Sequence, residues 1–173
     1  MTATEGITQV STLATHTALS VWSSASDFLA ILILLGVLFL FAYYVGRGPF
    51  CALLLAFYSA YALYAIFPYM SLLPTAPALT ALLAHVGLYA GLVLVFYIIL
   101  RRVVVSDFLY IGLFGLISLS FFGAAFLIAL AYHVFSVTDI YRLNPAIDVL
   151  FAPKEYFFWW FCAPAVGLFF LAR

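Results

Sequence analysis

The chain has 173 residues, of which 69% are hydrophobic and 7% charged, and its six basic side chains balance six acidic ones. Soluble domains carry about 25% charged residues, so this composition is that of a membrane protein. Zero net charge leaves no electrostatic footprint for nucleic acid, and no basic cluster marks a preference for anionic lipid.

Residues 1–26 lack the positive start and uninterrupted apolar run of a secretory signal. Ile7, Val10, Leu13, Ala14, Ala18, Val21 and Trp22 recur at helical spacing behind Thr2-Ala3-Thr4-Glu5, which fits a capping box. The pattern predicts an amphipathic helix lying in the interface, the alternative being a loosely ordered polar tail. Five stretches without Asp, Glu, Lys or Arg follow: Phe28–Val45, Phe50–Phe67, Leu79–Leu100, Phe108–Phe135 and Tyr156–Ala172. About 20 apolar helical residues cross a bilayer core, where each backbone group must be paired within its own segment. The expected fold is all-α, a polytopic integral membrane bundle of four or five transmembrane helices. Residues 27–135 form its four-helix core and 136–155 an extracytoplasmic loop. Residues 156–173 form a short fifth helix that spans, lies in the interface or re-enters.

The junctions carry helix punctuation. Asp27 and Asp107 precede apolar runs, where a carboxylate caps free N–H groups. Pro49 and Pro153 open the second and fifth segments, and Pro68, Pro74 and Pro77 fill the loop after the second. Asn144-Pro145 predicts one short helical turn through Phe151. Tyr43-Tyr44, Tyr69, Trp22 and Trp159-Trp160 sit where aromatic belts belong, and the Tyr156–Phe161 run reads as an anchor for the last segment.

Short loops make the helices alternate in direction. Arg47, Arg101 and Arg102 then share one side, joined by Arg173 if the last stretch spans, against Arg142 and Lys154 on the other. The positive-inside rule makes the first side cytoplasmic and leaves the N-terminus outside. Ala, Leu and Gly usage and the lack of disulfide pairs suit a bacterial plasma membrane. The two thiols, Cys51 and Cys162, fall at different depths, too far apart to bridge.

Small residues mark the expected packing faces: Ala52, Ala56 and Ala60 on the second helix, Gly87 and Gly91 on the third, Gly112, Gly115, Ser118 and Gly123 on the fourth, and Ala163 and Gly167 on the fifth. In lipid, such spacing lets helix backbones approach closely. These faces are read as internal to one bundle, with homodimerisation through Gly87 and Gly91 as the alternative.

No predicted span contains a charged residue, which argues against a coupled pump or ion antiporter. Ser59, Ser118 and Ser120 are expected to bond back to their own helices. Catalytic motifs are missing, so no enzyme and no cofactor is expected. One constellation stands out. His16, His85 and His133 fall on the outer side, and Tyr61, Tyr64, Tyr89 and Tyr132 lie at similar depth. They are candidates for a ligand pocket or, alternatively, for a haem or metal site. The plainer reading is amphipathic rings settled at the interface.

Asp27 leading the first helix, Gly46-Arg47-Gly48 at its end, and Ser106-Asp107 before Phe114-Gly115 resemble the colicin V production protein family of small bacterial inner-membrane proteins, over roughly residues 27–135. The chain departs from that pattern at Pro49-Phe50-Cys51, Phe108 and Ser118-Leu119-Ser120. The resemblance implies an accessory role in the envelope or in toxin export. Ser-Asp-Phe-Leu occurs at both 26–29 and 106–109, a hint of an inverted repeat.

Together these readings predict a non-enzymatic accessory or structural subunit, bound to lipid and either to a membrane-protein partner or to a second copy. The alternatives are a transporter or channel component with an outer-face pocket around His85, and an intramembrane redox protein. A cysteine placed at Arg101 is expected to be shielded from membrane-impermeant reagent in intact cells; labelling from outside would reverse the orientation.

Overall fold

A computed structural model of the chain describes residues 25–103, 112–135, 137–141 and 143–171. The predicted N-terminal amphipathic helix with His16 and Trp22, the Asp107 cap, the second Ser-Asp-Phe-Leu, Arg142 and Arg173 lie outside them. Four helices are long and apolar enough to cross a membrane: α1 (Ala25–Tyr44), α2 (Arg47–Ala65), α3 (Ala78–Val103) and α4 (Leu113–His133). A short α5 (Pro145–Phe151) and an 18-residue α6 (Lys154–Leu171) follow. All regular structure among the described residues is helical. The uncharged runs thus became helices, and the protein is an all-α membrane bundle.

Side-chain contacts fix the topology. His85 of α3 meets Tyr64 of α2, and Tyr89 bonds the Phe57 carbonyl, so α2 and α3 form an antiparallel hairpin. The Phe57 and Phe126 rings stack 6.1 Å apart, setting α4 parallel beside α2. α6 returns antiparallel along α4, with Phe157 against His133, Phe161 against Phe126, and Gly167 beside Phe122 and Leu119. The aromatic run opening α6 is therefore split. Phe157 and Phe161 enter the core, while Phe158 and Trp159 face outward. The run does not simply float at an interface; half of it is interior packing.

Two helices make the centre. Half of the α2 span and 56% of the α4 span are buried, against 17% for α1 and 11% for α3. Ala52, Ala56 and Ala60 are fully buried on α2, as are Ala124, Ala125 and Ala129, or nearly so, on α4. Close backbone approach supplies most of the association energy where lipid is as apolar as the side chains. Gly123 is the tightest point between α1, α2 and α4: a Cβ there would stand 2.9 Å from Leu54 and 3.4 Å from Leu38. Gly167 plays the same part between α6 and α4, where a Cβ would come within 2.8 Å of the Phe122 ring.

Three expected packing glycines behave otherwise. Gly87, Gly91 and Gly112 are exposed, and a Cβ at any of them meets nothing within 4 Å. The internal role expected for Gly87 and Gly91 fails because α3 turns its Tyr89 side, not its glycine side, toward α2, and that expected for Gly112 fails because it stands at the exposed start of α4. Gly115 is buried on α4.

Asp27 is a second correction. Residues 25 and 26 are already helical, so the carboxylate sits within α1 rather than ahead of it. It is 5% exposed and accepts a 2.7 Å hydrogen bond from the Tyr141 hydroxyl. The α1–α2 turn needs Gly46, whose φ of 111° is strained for any side chain. α5 forms as expected: Asn144 Oδ1 accepts from the Ala146 N–H at 2.9 Å, Pro145 opens the helix, and Ile147 and Phe151 are buried beneath it. Cys51 and Cys162 are free thiols.

Gly167→Val is expected to lower thermal stability in detergent by about 1–3 kcal/mol, because Phe122 and the fully buried Leu119 must move. Gly87→Ala should leave stability unchanged or raise it by up to about 1 kcal/mol, since its Cβ meets only open space.

Candidate functional site

The candidate tyrosines and histidines separate into three groups. His85 and Tyr64 belong to the first. The His85 Nδ1 and the Tyr64 hydroxyl are 2.9 Å apart across the α2–α3 hairpin. Below them Tyr89 donates to the Phe57 carbonyl at 3.0 Å, and Phe135 closes edge-on against both Tyr64 and Tyr89, at 5.6 and 5.4 Å. The two polar rings are thus fixed by α2, α3 and the end of α4 together. A cavity of about 300 Å³ opens beside them, with Thr75, Leu82 and Ile140 on its other walls.

Tyr132 and His133 form the second group and turn away from that cavity to hold α5. Tyr132 donates to Asp148 at 2.6 Å, and His133 Nε2 donates to the Phe151 carbonyl at 2.9 Å. A carbonyl only accepts, so this bond places the imidazole hydrogen on Nε2. Trp160 of α6 adds a third clamp, Nε1 to the Leu150 carbonyl at 3.0 Å. Short helices leave their last carbonyls without internal partners. Here side chains of α4 and α6 satisfy two of them. Phe151 stacks on Trp160 at 5.0 Å and on Tyr132 at 6.2 Å. Nearby, the Tyr141 phenol is held above its ordinary value of 10, chiefly because its hydrogen-bonded partner is the Asp27 carboxylate.

Tyr61 belongs to neither group and packs edge-on against Phe161 at 5.2 Å. Its neighbour Tyr58, which the sequence did not single out, makes the more consequential contact. Its hydroxyl donates to the Phe161 carbonyl and accepts from the Ala165 N–H at 3.2 Å. Those two backbone groups are an i−4 and i pair of α6, one residue past the position where buried Pro164 has no N–H to give Trp160. One hydroxyl thus stands at the opening that proline makes in the helix ladder. Pro164 inside an otherwise apolar run was the available signal.

The expected serine behaviour holds. Ser59, Ser118 and Ser120 each donate to the carbonyl four residues earlier. Among the described residues, no three His, Cys, Asp or Glu side chains converge as a metal set. No family model, curated protein or solved structure matches the chain.

Tyr58→Phe is expected to cost about 1 kcal/mol, the scale of an interhelical hydrogen bond in lipid. In a Pro164→Ala background the loss should shrink, because α6 can then close its own ladder. A double-mutant cycle on thermal unfolding reads the coupling directly.

Proposed function

We propose that the chain is a non-enzymatic multi-pass membrane protein acting as an accessory or structural subunit of an envelope or export process. It sits in a bacterial plasma membrane with the N-terminus outside. The observation that carries the reading is the uncovered side of α3. Only Tyr89 of its 26 residues is buried, and Gly87 and Gly91 stand four apart in open space on the exposed face. A helix of a partner, or of a second copy, can approach such a face closely.

The interior supports a structural role as well. Among the described residues, no buried side-chain nitrogen or oxygen lacks a hydrogen-bond partner. Ion pathways and proton relays usually place acidic or basic side chains at membrane depth, and the five charge-free runs carry no Asp, Glu, Lys or Arg. The basic bias at Arg47, Arg101 and Arg102 supports the orientation. The resemblance to the colicin V production protein family supports the envelope setting.

A second reading, a transporter or channel component with an outer-face pocket, is favoured by the cavity beside His85 and Tyr64. The two readings are compatible on one chain, since the cavity and the glycine face use different surfaces.

Affinity purification from native membranes, with mass spectrometry and size measurement, tests the first reading. A stoichiometric partner or dimer is expected, lost in Gly87→Ile/Gly91→Ile while thermal stability is kept. A monomer of unchanged size in both proteins, or an activity of the isolated chain, would sink it.

A further inference from the structure

We infer that the cavity beside His85 binds a small neutral molecule presenting a carbonyl-type acceptor on an apolar body, an assignment that rests on the second reading above. The argument begins with Tyr64. Its side chain is buried, and among the described residues the His85 Nδ1 is the one acceptor within reach of its hydroxyl. In the arrangement proposed here the Tyr64 O–H donates to Nδ1, its one acceptor among the described residues. Nδ1 then accepts, and the neutral imidazole carries its hydrogen on Nε2. Among the described residues nothing bonds Nε2. His85 lines the cavity, and Nε2–H is then the donor its ring has to offer a ligand.

The other walls define the rest of the ligand. Leu82, Ala81 and Phe135 are apolar, Thr75 adds a hydroxyl, and among the described residues no Asp, Glu, Lys or Arg lines the cavity. A charged ligand would find no opposite charge on the described walls in exchange for its hydration. A neutral acceptor for Nε2–H, with a hydrocarbon body against Leu82 and Phe135, matches these walls. The volume of about 300 Å³ is at the small end of ligand sites, which limits the occupant to a single ring or a short chain.

Duroquinone and durene provide the test, because they share ring and methyl groups and differ in the two carbonyls. Thermal stabilisation and equilibrium binding are measured on the purified full chain in detergent. Duroquinone is expected to bind about tenfold more tightly than durene, the size of one good hydrogen bond. It should also shift the His85 Nε2–H resonance in nitrogen-15 NMR of the unaltered protein. His85→Phe should erase the preference. Leu82→Phe, which fills the cavity and leaves the Tyr64–His85 pair alone, should abolish binding of both compounds. Equal binding of the two compounds to the unaltered protein overturns the acceptor class and leaves the pocket reading standing. Binding of neither overturns both.

Discussion

Hydrocarbon offers polar groups no water to bond, and nearly every distinctive feature of this bundle answers that constraint. Ser59, Ser118 and Ser120 turn back on their own helices. Tyr89 uses the spare lone pair of the Phe57 carbonyl, so an interhelical bond forms without opening α2. Pro164 is the hard case, because it removes a donor in the middle of α6. Tyr58 reaches across from α2 to stand on both backbone groups of the adjacent rung. That single hydroxyl ties the last helix to the centre of the fold at the point where its backbone is weakest.

The two ends of the bundle solve different problems. At the α1–α2 end one glycine with a left-handed φ reverses the chain in a minimal turn. At the α5 end the connecting segment is long, and its polar groups are fastened one by one. Asn144 caps α5, Tyr132 holds Asp148, His133 and Trp160 take the terminal carbonyls, and Tyr141 reaches Asp27. The segment is thereby fixed over α1, α4 and α6. The cavity at His85 lies beside this clamped region, between the α2–α3 hairpin and the end of α4. Its walls are set by packed rings, which suits recognition of a small molecule.

Helix number, approximate limits and the short α5 were legible because they follow from local rules. Charge-free runs of membrane length must become helices, and Asn144-Pro145 is a start signal that needs no partner. The packing glycines were only half legible. Gly123 and Gly167 sit under Leu54 and Phe122, while Gly87 and Gly91 face outward, although all four carry the same small-residue signal. Which face of a helix meets its neighbour depends on rotation about the helix axis, and spacing along the chain leaves that rotation free.

The same division runs through the candidate site. Depth along the membrane follows from sequence position, which is why His85, His133 and the tyrosines were grouped as one candidate set. Their pairing is a lateral matter, decided when α3 docks on α2 and α5 folds over α4. Docking gave His85 to Tyr64 and the cavity, and His133 to the Phe151 carbonyl. Composition settled that this chain lives in lipid, because uncharged helices of this length are stable nowhere else. Only tertiary packing settled which polar rings meet, because hydrogen bonds reach about 3 Å and the sequence specifies no lateral distance.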